Sequence, residues 1–148
     1  MTQQWINEFP CPLSDTGRKV KGFPPWRKRS LYEYKADPDA PLTFQFCDHG
    51  YVRPNKHFET DMGSVPEAAQ LLVPKDLHNP SFVLHDSACI EHGLYFSASY
   101  DGVYTFCPMP SWRVHRLLRE SLSAAGFTCR ARLVWFAVRT FGPKWNGK

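Results

Sequence analysis

Residues 110–142 read PSWRVHRLLRESLSAAGFTCRARLVWFAVRTFG, and this stretch decides the fold class. Val114, Leu117, Leu118, Leu122 and Ala125 recur at helical spacing and form one apolar stripe, while Arg113, Arg116, Arg119 and Glu120 fall on the other side. Gly126 is a helix stop. Thr128 then caps a second helix that Gly142-Pro143 ends. Leu133, Val134, Phe136, Ala137, Val138 and Phe141 cover most of its faces, which predicts a well-buried element. Working outward, Asn79-Pro80 reads as a cap followed by a helix-opening proline, with the helix running to about His92 and stopping at Gly93. Pro66 opens a shorter helix through Leu72 by the same device.

Upstream the period changes from helical to two. In residues 42–47, Leu42, Phe44 and Phe46 alternate with Thr43, Gln45 and Cys47, the pattern of a half-buried strand. Residues 31–36 and the stretch from Tyr51 add strands on either side, separated by turn clusters at 37–41 and 48–50. Within residues 94–107, Asp101-Gly102 predicts a tight two-residue hairpin. Residues 1–29, with Pro10, Pro12, Pro24 and Pro25, read as a basic, Pro-rich arm lying on or hanging from a single domain spanning 30–148. Strands precede helices, so the fold class is α+β: a small N-terminal antiparallel β-meander packed against three or four C-terminal helices.

The chain has 148 residues, 43% hydrophobic and 22% charged, which fits one globular core and argues against extended disorder. No apolar run approaches the ~20 residues of a membrane span. The first residues lack the basic start and apolar stretch of a signal peptide, so the expected location is a host cytoplasm or a virion. The net charge of +4 is unevenly placed: +4 over residues 1–36, −7 over 37–101 and +7 over 102–148. Either the segments neutralise one another when packed, or the basic ends meet a polyanion. The densest basic run is Arg18, Lys19, Lys21, Arg27, Lys28 and Arg29, interleaved with Phe23 and Trp26 as in grooves that take single strands. The five cysteines are widely spaced and include no C-x-x-C, so free thiols are expected and a zinc ribbon is not supported.

Three polar features carry the candidate chemistry. Thr60-Asp61-Met62-Gly63-Ser64-Val65-Pro66 is a tight loop in which Asp61 and Ser64 either cap the following helix or form part of a site. His85-Asp86 sits in an otherwise apolar helix, where two ionisable neighbours are costly unless paired or bound. His85, Cys89 and His92 share one face of that helix, so His85 with either of the others is a potential transition-metal pair; a satisfied core histidine beside a buried thiol is the competing reading. His115 borders the apolar stripe of its helix, and packing of the two stripes would bring it towards His85.

These features, in this order, resemble a family of phage and prophage proteins, the domain-of-unknown-function family numbered 1353. The matching pattern is a Thr-Asp-x-x-Ser-x-Pro loop at Thr60 to Pro66, a His-Asp helix at His85-Asp86, an Arg-containing helix, and Trp135-Phe136-Ala137-Val138-Arg139-Thr140-Phe141-Gly142 in place of Tyr-x-Ala-Val-Arg-x-Phe-Gly. The resemblance covers roughly residues 40–145. The family pattern has Ala-Asp in the third motif, whereas this chain has Val114-His115; if that Asp is a ligand or base His115 can replace it, and if it only caps or pairs the change says little. The resemblance implies a phage or prophage origin and supports Asp61, Ser64, His85 and Asp86 as a unit.

Two function classes follow. The first is a small hydrolase-like protein. In it Asp61, His85, Asp86 and His115 hold one divalent transition metal that activates water, or Ser64 is a nucleophile with His85 as base. The second is a non-enzymatic virion component or accessory protein that binds a phage or host protein, with the polar cluster as a structural network. An enzyme needs the cluster to open into a pocket; a network should be closed, with each polar atom paired.

Overall fold

The computed structural model describes residues 3–9, 11–21, 28–46, 50–62 and 77–147. The fold is α+β, with strands mainly N-terminal and helices C-terminal. Among the described residues there are eight strands: β1 (Gln4–Asn7), β2 (Leu13–Lys21), β3 (Lys28–Lys35), β4 (Thr43–Gln45), β5 (Tyr51–Arg53), β6 (His57–Thr60), β7 (Gly93–Ser97) and β8 (Thr105–Pro108). The helices are α1 (Asn79–Glu91), α2 (Ser111–Ala124) and α3 (Thr128–Phe141). The strands form two antiparallel sheets, β1-β4-β5-β7-β8 and β2-β3-β6, in place of one meander.

The segment set apart as an arm supplies two of these strands. β1 pairs with β4, and β2 pairs with β3. Pro12 precedes β2 and so interrupts no ladder. β2 hid from a period-two reading because its register shifts between Asp15 and Lys19, around Gly17 at φ +72°, so the alternation breaks at the bulge. Two basic residues of this region reach the acidic β6 neighbourhood: Arg18 pairs with Glu59, and Arg29 Nη1 lies 3.3 Å from Asp61 Oδ2. The charge segments of the sequence thus meet across one sheet, as the neutralisation reading expects. Phe23, Trp26, Arg27 and the expected helix from Pro66 lie outside the described residues.

β4 was expected to be half buried but is buried on both faces. It is an inner strand between β1 and β5, and its polar residues are satisfied there: Thr43 Oγ1 donates to Pro41 O at 2.8 Å and accepts from Arg53 Nε at 2.9 Å, and Gln4 Nε2 donates to Gln45 Oε1 at 3.0 Å. The β7–β8 connection also departs from expectation. It is a longer loop, and neither Asp101 nor Gly102 has positive φ. The loop wraps Arg53, whose guanidinium lies 3.8 Å from the Tyr104 ring and donates to Tyr100 O at 3.3 Å.

α1 is the keystone. Pro80 to Ala88 are all buried. Phe82 and Val83 join a core with Tyr34, Phe58, Leu118, Leu122 and Val134, whereas Leu84 and Ala88 join a second core with Phe44, Val52, Leu94, Val114 and Leu117. A helix apolar all round is one packed on all sides, which is why this one carries no stripe. Its cap is His78, one residue earlier than expected, and its C-cap is His92 at φ 58°. α2 matches its predicted stripe, except that Glu120 is buried, with Arg116 Nε 2.8 Å from its Oε1. Phe127, not Thr128, is the cap residue of α3. α3 buries only Ala131, Val134, Ala137 and Val138; Leu133, Phe136 and Phe141 are exposed, contrary to the well-buried helix expected. Its one buried stripe packs on α2, and nothing among the described residues covers the opposite face. No helix among the described residues is long and apolar enough to cross a membrane.

Candidate functional site

The site begins where β6 ends. Met62 takes a left-handed conformation, φ 54°, which is unusual without glycine, and its N–H donates to Thr60 Oγ1, 3.0 Å away. That hydroxyl accepts from the Met62 amide and therefore directs its own proton outward, to Asp86 Oδ2 at 2.5 Å. Asp86 Oδ1 lies 3.7 Å from His85 Nδ1, an ion-pair distance and too long for a hydrogen bond. His85 Nε2 is 3.0 Å from His115 Nδ1, and His115 Nε2 is 3.0 Å from the Pro143 carbonyl.

The carbonyl end of this chain fixes the protons. A carbonyl only accepts, so His115 Nε2 carries the hydrogen. In the neutral ring His115 Nδ1 is then an acceptor, and His85 Nε2–H must donate to it. The electrostatics agree. Burial, reinforced by the neighbouring His85 charge, pushes His115 down to about 4 despite the Pro143 carbonyl, which favours its protonated form. His85 is fully buried, and burial alone would lower it. The Cys89 sulfur and the Asp86 carboxylate outweigh that and hold it up at about 9. The two rings are therefore pushed in opposite directions, His85 towards its charged form and His115 towards its neutral one.

The backbone carbonyl is itself delivered by packing. Gly142 ends α3 with its N–H on Val138 O at 2.8 Å, and a Cβ there would collide with that same carbonyl. Beyond it, Trp145 anchors the tail: Nε1 donates to Met109 O at 2.7 Å, and the ring stacks on His92 at 4.6 Å. His92 thus belongs to the tail anchor and does not join His85 as a ligand.

Thr60, Asp61, His85, Asp86, Cys89, Phe141, Gly142 and Pro143 line one open cleft of about 570 Å³. Of the expected site residues, His85, Asp86 and His115 come together directly. Asp61 lines the same cleft with its carboxylate beside Arg29. Ser64 lies outside the described residues. Two participants were not singled out from the sequence. Thr60 had a signal, since it opens the loop motif; the Pro143 carbonyl had none, because a backbone acceptor leaves no mark in the side-chain pattern. Cys89, weighed earlier as a ligand or a core thiol, reaches the cleft with its sulfur 3.7 Å from both ring nitrogens of His85.

Among the described residues no three His, Cys, Asp or Glu side chains converge as a metal-binding group. The two facing histidine nitrogens bond each other, and they would have to part to admit an ion at ~2.0–2.1 Å from each. A second chain, Ser81 Oγ to His78 Nδ1 at 2.8 Å and His78 Nε2 to Glu8 Oε2 at 3.0 Å, has the connectivity of a nucleophile–base–acid relay. Ser81 is fully buried, however, and His78 accepts from its N–H as the cap of α1, so this chain secures the helix start.

No protein-family profile matches the chain, and no solved structure does. A relative described as the uncharacterized protein y4iH, from Sinorhizobium fredii (strain NBRC 101917 / NGR234), is 28% identical over 120 residues, covering 73% of this chain and 44% of the relative. The chain thus spans less than half the length of the curated relative it matches, and that relative's description assigns no activity.

Proposed function

We propose that this chain is a small hydrolase-like protein, of the phage or prophage type that its motifs resemble, working by acid–base chemistry in the cleft between β6 and α1. One observation carries this reading: the loop at Thr60-Asp61, the pair His85-Asp86 and the α3 end at Phe141-Gly142 all line one open cleft. His85, which lines the cleft, and His115, bonded to it, are pushed in opposite directions of protonation. Neighbouring titratable groups driven apart in this way divide the roles of proton donor and acceptor. His85 is the group that holds and returns a proton, Asp86 stabilises its charged form, Thr60 orients Asp86, and His115 with Pro143 fixes the tautomer.

The competing reading, a structural network in a protein-binding component, draws on the pairing of every histidine nitrogen along His85–His115–Pro143. A panel of chromogenic carboxylic and phosphate esters, with wild type, His85→Gln and Asp86→Asn, separates the two. Turnover of at least one ester that is lost in both variants supports the hydrolase reading. No turnover by a folded wild type, with variants that are merely less stable, leaves the network. Running the panel with a chelator and with added Zn²⁺ or Mn²⁺ tests the divalent-ion version, since turnover that appears only with the ion would assign the activation of water to a bound metal.

A further inference from the structure

We infer that Cys89 is the nucleophile of this cleft, paired with His85, and that it takes an acyl group from an activated carbonyl substrate. The inference rests on the hydrolase-like reading and deepens it by naming the attacking atom and the substrate class.

His115 Nε2–H is committed to the Pro143 carbonyl, and His85 Nε2–H to His115 Nδ1. The remaining ring position, His85 Nδ1, has two neighbours, the Asp86 carboxylate at 3.7 Å and the Cys89 sulfur, which lies 3.7 Å from both ring nitrogens and finds Nε2 already committed to His115. A carboxylate accepts only, so in the neutral ring the thiol is the neighbour able to donate to Nδ1. In the charged ring that same proton sits on Nδ1 between sulfur and carboxylate. The i, i+4 spacing on α1 sets this contact, and His85 is 1% exposed, so its ring is fixed by packing. Cys89 itself is only partly buried and lines the cleft, so its sulfur faces a space that a substrate can enter. Cys11 gives the contrast: its thiol is pushed up to about 12 by burial and has no such base.

The groups facing the pair come from every packed element. Asp86 lies beside it on α1, His115 on α2, and the Pro143 carbonyl follows α3, with Lys144 acting on His115. Glu59 and Thr60 line the same cleft from β6, Asp61 from just after it, and Lys21 from β2. Together they surround one shared proton, which the neighbouring Asp86 and Cys89 favour on His85.

The step balances with water as the co-reactant. The Cys89 sulfur attacks the carbonyl carbon and forms a C–S bond. The bond to the leaving group breaks, and the leaving atom takes the proton from His85 Nδ1. Water, deprotonated by the now neutral Nδ1, attacks the thioester. The sulfur departs with its electron pair beside the reprotonated imidazole, and the acid product is released.

The test uses the full chain and peptide-resolved mass spectrometry. Iodoacetamide at pH 6 should alkylate Cys89 at least tenfold faster than the more exposed Cys129. That ratio should fall towards one in His85→Gln and in Asp86→Asn, the second variant guarding against a misfolded first. p-Nitrophenyl acetate should leave an acetyl group on Cys89 that hydroxylamine removes. A Cys89 rate no greater than that of Cys129 at pH 6, with no acetylation, overturns the inference. If ester turnover then survives in Cys89→Ser but is lost in His85→Gln, the thiol is refuted while the acid–base reading stands. If Cys89 is fast and acetylated but never turns over, Cys89 is the acyl acceptor and it is the hydrolase reading that fails.

Discussion

Replacing His115 by Gln should flatten the acid limb of the stability curve. In the folded protein His115 is held at about 4, against 6.5 for the free side chain, because it is buried, faces an imidazolium and keeps its Nδ1 as an acceptor. The unfolded chain therefore binds a proton that the folded chain refuses. The stabilisation is fully present above pH 6.5 and is lost as the pH falls through about 4. The interval spans roughly 2.5 pH units, and at about 1.4 kcal/mol per unit the acid limb is worth about 3 kcal/mol. The ring is 2% exposed, so solvent screening takes little from that figure. Gln keeps a donor for the Pro143 carbonyl and does not titrate. Urea unfolding of wild type and His115→Gln at pH 7, 6, 5 and 4.5 isolates the effect, because the carboxylates titrate in both proteins and cancel in the difference. The gap between the two proteins should narrow steadily below pH 6.5. Parallel curves would show that His115 takes up its proton without cost, and the tautomer assignment of the whole chain would fall with it.

Three further outcomes follow from the same geometry. His85→Gln should remove an alkaline limb: His85 is held up at about 9, so its contribution is complete below pH 6.5 and disappears as the pH rises through about 9, and the check is whether the wild type alone loses stability between pH 7 and 9.5. Thr60→Val removes the hydroxyl that joins the Met62 amide to Asp86, leaving a buried donor and acceptor unpaired, for a loss of about 1–3 kcal/mol and a melting point lower by about 2–12 °C; an unchanged melting point by circular dichroism would refute the relay. Phe136→Ser should leave stability within about 0.5 kcal/mol, because the ring is 64% exposed, and a large loss would mean that α3 is covered as its composition first implied.

What the sequence revealed depended on how each element meets its surroundings. α2 lies between one core and solvent, so its stripe could be read directly, and so could the approach of His115 to His85. α3 resembled a buried helix because its composition is apolar all round, and composition alone cannot tell an exposed Phe136 from a packed Val138. β1 and β2 were hidden for local reasons: one is four residues long, and the other carries a bulge at Gly17 that breaks its period. Asp101-Gly102 failed as a hairpin signal because Arg53 and Tyr104 require a wider loop than the dipeptide prefers. At the site, the costly pair His85-Asp86 was legible as an anomaly in an apolar helix, whereas its neighbours came from a left-handed Met62 and a backbone carbonyl, neither of which leaves a pattern in side-chain identity.

The site is also the part of the molecule that local structure cannot build. Its links join residues 60 and 86, 85 and 115, and 115 and 143, separations of 26, 30 and 28 positions. The contacts of His85 with Asp86 and with Cys89, by contrast, lie within one helix. None of the longer links survives when the chain unfolds, so the displaced proton affinities of His85 and His115 exist only in the native state. Any group that holds its proton through this chain reports on the whole fold, and the fold in turn depends on the protonation of two buried rings. That coupling explains why pH-dependent stability and thiol reactivity, which read the same shared proton from opposite ends, should fail together if the His85–His115 bond is wrong. If only the thiol result fails, the error lies in the step from His85 to Cys89.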